Sequence, residues 1–265
     1  MVALVQASLS NTECFTLTSS SASEEYCIFV GLPPGYALSN KTYPALYILD
    51  GNLEFPLVKS VCEVLWLGGE IPEAVLVGIG YPVTDLNETV PLRTRDLTPT
   101  VKGPGTGGAE KFLQFIQREL IPLVDLNYRT DLNRRAMFGD SRGGLFALYA
   151  LFTAPGLFHR YLIGSPSIWW DKEAIDEYEE RFAAQHSDLP ARIFLSAGSR
   201  ENEQMIANVL KLTSLLCARN YPNLTLDVNI LEDETHFSVI PAAVCRGLKS
   251  ILKAPYLQPE QGMKN

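Results

Sequence analysis

Short, continuously apolar runs alternate with longer stretches of helical periodicity along most of this chain, and that alternation restricts it to very few folds. The runs ALYIL, AVLVGIG, RAMF, RYLIG, RIFLSA and LTLDVNIL read as strands. Most are continuously apolar instead of alternating, which is the pattern of a parallel sheet covered by helices on both faces. Helices are expected over Phe55–Leu67, Glu110–Leu123, Gly143–Phe152, Lys172–Ala184, Asn202–Ala218 and Val239–Lys253. In the last of these, Ile240, Ala243, Val244, Gly247, Leu248 and Ile251 fall on one stripe of a 3.6-residue repeat. Ahead of the alternation, CFTLTS and EYCIFVGL read as an antiparallel hairpin turning at Ser19–Glu24. The fold class predicted is a three-layer α/β architecture with a mostly parallel sheet, in a single domain over residues 1–265 whose tail, about 255–265, is frayed. Gly80–Gly108, with four prolines and five glycines, reads as the one long irregular stretch.

Charge narrows the partners. Twenty-two Lys and Arg against 30 Asp and Glu give a net charge of −8 with no basic cluster, which argues against nucleic acid and anionic membrane surfaces and favours a small-molecule substrate. The apolar runs stop near ten residues, about half of what a membrane-spanning helix needs. The opening MVALVQASLSNTECF has neither the basic start nor the apolar core of a secretory signal, so a cytoplasmic location is expected. Five scattered cysteines show no zinc spacing and no disulfide framework, although Cys14 and Cys27 could face each other across the hairpin. No metal and no cofactor are expected.

Gly139-Asp140-Ser141-Arg142-Gly143 matches GxSxG and lies between the strand RAMF and an apolar helix, the context that a nucleophile elbow requires. Glycines two residues either side of the serine let neighbouring backbone approach, and the helix N-terminus favours developing negative charge. A serine hydroxyl needs a base, and the chain has three histidines, His159, His186 and His236. His236 fits best, because it follows the last strand and precedes the last helix. The acid is sought between serine and histidine at a strand end, where RIFLSA runs into Gly198-Ser199-Arg200-Glu201-Asn202-Glu203. Glu201 is preferred, and Glu203 remains an alternative.

With these three in place, the chain resembles the esterase D-like α/β-hydrolases and is most similar to their ferric enterochelin (siderophore) esterase branch. The stretches that carry the resemblance are LPPGY, YPALYILDGNLEF, RTRDLTP, GGAEKFLQFIQRELIPLVDLNYRT, GDSRGGLFALYALF, SPSIWWD and THFSV. It implies the α/β-hydrolase fold with a minimal cap, a cofactor-free serine esterase, and a triad acid close behind a strand-end glycine, as Glu201 is behind Gly198. It implies oxyanion donors at the backbone amides of Arg142 and Asn52. It also suggests basic pocket residues, for which Arg93 and Arg95 are candidates, with a structural ion pair of Arg95 and Asp96 as the other reading. Trp169 and Trp170 read either as pocket walls or as core.

The elbow departs from the family in one respect. Relatives commonly have GHSxGG, whereas this chain has Asp140 and Arg142. A guanidinium beside the nucleophile points to polar or anionic esters, unless Arg142 folds back onto Asp140 or a helix carboxylate. The function expected is hydrolysis of a small-molecule ester through an acyl-enzyme, possible rivals being acyl transfer or thioester hydrolysis by the same triad. A rival of another class is a catalytically silent binding module.

Overall fold

The computed structural model describes residues 8–252. Strands β1 (Thr12–Thr18) and β2 (Glu25–Gly31) form the expected antiparallel hairpin. Strands β3 (Tyr43–Ile48), β4 (Val75–Gly80), β5 (Thr130–Asp140), β6 (Arg160–Gly164), β7 (Arg192–Gly198) and β8 (Thr225–Leu231) continue the sheet in the order β1-β2-β4-β3-β5-β6-β7-β8. Every pairing from β4 through β3 to β8 is parallel, and only β2 runs against its neighbours.

Alternate residues of the central strands feed two cores. Leu46, Ile48, Leu76, Phe138, Leu162 and Phe194 pack under α1 (Gly51–Leu67) and α8 (Val239–Ile251). Tyr47, Val77, Met137, Tyr161, Ile163 and Leu195 point to the other face, under α3 (Ala109–Phe115), α4 (Ile121–Asn127), α5 (Arg142–Thr153), α6 (Ile175–Gln185) and α7 (Glu203–Arg219). Burial on both faces is the reason these strands are apolar at every position. The architecture is three-layer α/β, as predicted.

Several boundaries differ from the sequence reading. Gly80–Gly108 is not irregular throughout, since it holds α2 (Leu86–Leu97), capped by Asp85, whose carboxylate accepts from the Asn87 amide at 2.8 Å. The periodicity signal missed α2 because Pro91 lies within it and only Asp96 and Leu97 are buried. Tertiary ion pairs hold this helix, Arg95 with Glu24 and Arg93 with Asp50, while Arg95 also pairs with its neighbour Asp96. α1 begins at Gly51 and not at Phe55, directly after Asp50, which adopts a left-handed φ of 52°. α6 begins at Ile175 and not at Lys172, because Asp171, Lys172 and Glu173 all have positive φ and cannot continue a right-handed helix. The helix expected over Glu110–Leu123 is α3 and α4 joined by a wider, π-type turn at Ile116–Leu120. The tail after Leu252 lies outside the described residues, as does Lys253 of the last expected helix. Cys14 and Cys27 are free thiols with sulfurs 3.0 Å apart. Among the described residues no helix is long and apolar enough to cross a membrane.

α8 sits hard against the sheet at Gly247, where a Cβ would come within 2.5 Å of Leu162 Cγ and 2.9 Å of Phe194 Cδ1. Gly247→Ala gains helix propensity but forces buried side chains apart, and overpacking of this kind costs about 1–3 kcal/mol against a propensity gain of at most ~1. A lower urea midpoint with unchanged slope is therefore expected. A midpoint above wild type would mean that α8 can retreat from β6 and β7.

Candidate active site

The candidate residues sit where several parallel strands end. Ser141 links β5 to α5 with φ 57° and ψ −114°, a region L-residues rarely enter. The turn is held by its neighbours: the Ser141 amide donates to Gly164 O at 2.9 Å, and the Ser167 amide donates to Ser141 O at 2.9 Å. Gly139 is required here, because a Cβ would lie 2.3 Å from the carbonyl oxygen of Gly143.

His236 reaches this turn from the segment between β8 and α8. Its Nε2 lies 3.1 Å from Ser141 Oγ, and its Nδ1 lies 3.0 Å from Glu201 Oε2. A carboxylate can only accept, so Nδ1 carries the proton and the lone pair of Nε2 faces the serine hydroxyl. Glu201, three residues beyond the end of β7, has a fully enclosed side chain. Its Oε1 accepts from the Gly198 amide at 2.8 Å and from the Ser165 hydroxyl. Burial pushes its carboxyl upward, but the bonds from His236, Gly198 and Ser165 outweigh that and hold it below the usual glutamate range. Glu203, the alternative acid, is exposed in the first turn of α7. The other histidines lie elsewhere: His186 stacks on Phe182 at the end of α6, and His159 immediately precedes β6.

Ser141, Arg142, His236 and Asn52 line one cleft of about 350 Å³. The Asn52 side chain ties the first turn of α1 to the end of β4, accepting from the Tyr81 amide at 2.7 Å and donating to Tyr81 O at 2.9 Å. No acceptor among the described residues takes the backbone N–H of Asn52 or of Arg142. Both N–H groups belong to first turns of helices, where no intrahelical partner exists.

The remaining candidates divide. Arg93 lines the cleft and grips Asp50 with both arms of its fork, Nε to Oδ1 at 2.7 Å and Nη2 to Oδ2 at 2.6 Å. Burial opposes its charge, but Asp50 prevails and holds Arg93 above the ordinary arginine range. Arg95 is turned away from the cleft, committed to Asp96 and Glu24, so its structural reading replaces the pocket one. Arg142 makes no ion pair with Asp140 or any other carboxylate among the described residues. Trp169 and Trp170 are not among the residues lining the cleft: Trp170 is buried with Nε1 donating to Thr100 Oγ1 at 3.0 Å, and Trp169 is exposed. The pocket-wall reading of the pair does not hold, because Trp170 turns back toward residues 100–102, a tertiary fact that spacing does not encode.

Sequence reasoning missed most of the cleft wall. Leu86, Thr89, Val90 and Arg93 of α2 all line it, at helical spacings of three, four and seven, a stripe visible only once α2 is known to be a helix. Leu53, Phe237 and Ile240 complete an apolar rim, while Asp50, Glu54 and Asp140 add acid below. Asp140 is driven well above the usual aspartate range by burial and then by the nearby Glu54.

Known proteins are similar to this chain along most of its length. The Esterase family model matches residues 19–238. The ferri-bacillibactin esterase BesA of Bacillus subtilis is 32% identical, the match covering 91% of this chain and 89% of that protein. A siderophore triacetylfusarinine C esterase of Aspergillus fumigatus is also 32% identical, covering 91% of this chain and 92% of its own. The crystal structure of the BES protein from Bacillus cereus superposes with a TM-score of 0.87 at 33% identity, over 96% of this chain and 99% of that one. The chain belongs to the Esterase family and stands close to its siderophore esterases.

Proposed function

We propose that this protein is a serine esterase that cleaves a siderophore-type, oxygen-rich ester through an acyl-enzyme at Ser141. The observation that carries the reading is the unbroken hydrogen-bonded series from Glu201 through His236 to the Ser141 hydroxyl, opening onto a cleft. His236 takes the hydroxyl proton as Ser141 Oγ attacks the ester carbonyl, then returns it to the departing alkoxide. Glu201 keeps the imidazole in the required tautomer and stabilises its cation. The Asn52 and Arg142 amides receive the oxyanion, an assignment supported by their uncommitted N–H groups on the same cleft. Water then enters, activated by His236, and frees the acid.

The substrate class is supported by the cleft and by the relatives. One wall is apolar and the floor is ionic, which suits an ester with an aromatic or aliphatic part and several oxygens. The similar proteins named above are esterases of ferri-bacillibactin and of triacetylfusarinine C. Arg142 supplies a guanidinium with an unpartnered Nε for substrate oxygens. Assay of an ester panel from short p-nitrophenyl acyl chains to ferric catecholate trilactones tests the class directly. Preference for the short simple esters would end the siderophore-type assignment.

Ser141→Ala and His236→Ala should each lower kcat by about 10³-fold or more with the fold intact, because members of such a unit fail together. Ser141→Ala should also lose labelling by a fluorophosphonate probe. Near-native turnover by Ser141→Ala would end the mechanism.

Glu201→Gln should cost about 10²–10⁴-fold in kcat, whereas Glu203→Gln should change little, since only Glu201 is bonded to His236. The reverse ranking in steady-state assays would move the acid to Glu203.

Arg142→Ala should lower kcat/KM for an anionic ester about tenfold more than for a neutral one of equal size, a difference near ~1.4 kcal/mol that shrinks in high salt. Equal losses on both would leave Arg142 its amide alone.

A further inference from the structure

Three polar side-chain atoms on the cleft-lining residues are shut from solvent without a hydrogen-bond partner: Glu54 Oε2, Asp140 Oδ1 and Arg142 Nε. Unsatisfied buried groups are rare in folded proteins, and a group of them around one cleft marks places where a ligand supplies the missing partner. Glu54 is the most exacting case. It sits in the first turn of α1, is only 4% exposed, and its carboxyl makes no hydrogen bond among the described residues.

The surroundings of Glu54 hold more carboxyls than uncommitted cations. Asp50, at the turn between β3 and α1, raises the cost of charge on Glu54, and Arg93 of α2 lowers it. Both arms of Arg93, however, are already spent on the two oxygens of Asp50. Asp140, from the end of β5, feels Glu54 as its strongest neighbouring charge, and behind it lies Glu201. Arg142 at the start of α5, Tyr81 past the end of β4 and His236 before α8 share the cleft. A carboxyl so enclosed, beside like charges and without its own counterion, is driven toward its neutral form.

We propose that Glu54 is a specificity-determining residue of the esterase site: neutral, it offers its O–H to an oxygen of an anionic ester drawn in by Arg142, and ionised, it repels that ester. The inference rests on the reading of Ser141 as the nucleophile and adds the control of substrate charge. Burial first, and Asp50 second, push the Glu54 carboxyl up to about 7. The sign follows directly. Below that value the carboxyl is uncharged and anionic esters are accepted, and above it the added negative charge opposes them.

The measurement is a ratio, so that any pH effect shared by both substrates cancels. kcat/KM is determined between pH 5.5 and 8.5 for two aryl esters of equal size. One carries a sulfonate, whose charge does not vary over this range, and the other a neutral methyl sulfone. In wild type the ratio of anionic to neutral kcat/KM should fall about tenfold as pH rises through 7. In E54Q or E54A, whichever folds, the ratio should be flat. A residue with a purely structural role would change both rates together and leave the ratio unmoved. A flat ratio in wild type overturns the proposal and needs no variant, and so does a fall that persists in E54Q or E54A. Hydrolysis that survives in S141A would instead overturn the nucleophile assignment, so the two failures are separable.

Discussion

A single carboxylate, Asp50, joins the pieces from which the cleft is assembled. Its left-handed backbone turns the chain out of β3, and its carbonyl accepts the amides of Leu53 and Glu54 to start α1. Both of its side-chain oxygens take the fork of Arg93, which fixes α2 as a wall. Its Oδ2 also lies beside Gly143 in the first turn of α5, close enough that a Cβ there would stand 3.2 Å away. The ion pair is mostly enclosed, with the arginine side chain 18% and the aspartate 11% exposed, so losing either partner would strand a charge in a poorly solvated place. This contact helps to orient α2 and takes up both arms of the arginine nearest to Glu54.

The parts of the fold visible in the sequence are those whose signal is local. The strands are apolar at every position because two cores claim alternate side chains, and the stripe from Ile240 to Ile251 announces α8 without tertiary knowledge. α2 was hidden for the opposite reason: it is secured by Arg93 and Arg95 to partners more than forty residues away, and it buries almost nothing apolar. The site divides in the same way. Ser141, Glu201 and His236 each follow a strand end closely, and parallel strands deliver their C-terminal ends to one edge, so chain order pointed to these strand ends, leaving Glu203 as an alternative to Glu201. Which arginines and tryptophans face the cleft depends on how the intervening loops fold, and there Arg95, Trp169 and Trp170 were not separable from Arg93 by pattern alone.

The departure at position 140 has a physical meaning in this setting. An aspartate in that place brings a second buried carboxyl to the cleft that already contains Glu54, and Glu54 raises the cost of charge on Asp140. The cleft therefore combines the apolar Leu53, Leu86, Val90, Phe237 and Ile240 with Glu54 and Asp140, two buried carboxyls that no ion pair neutralises among the described residues. A substrate meets an apolar surface and a polar one at once.

The backbone of Ser141 sets activity against durability. Its φ of 57° with ψ of −114° is a conformation that costs a side-chain-bearing residue about 1–3 kcal/mol and a glycine far less. Removing the hydroxyl leaves that strain in place, since the Cβ remains, and only glycine would relieve it. By backbone conformation alone the residue best suited to this elbow is thus glycine, which lacks the hydroxyl proposed as the nucleophile, so selection for thermal endurance alone would work against the site.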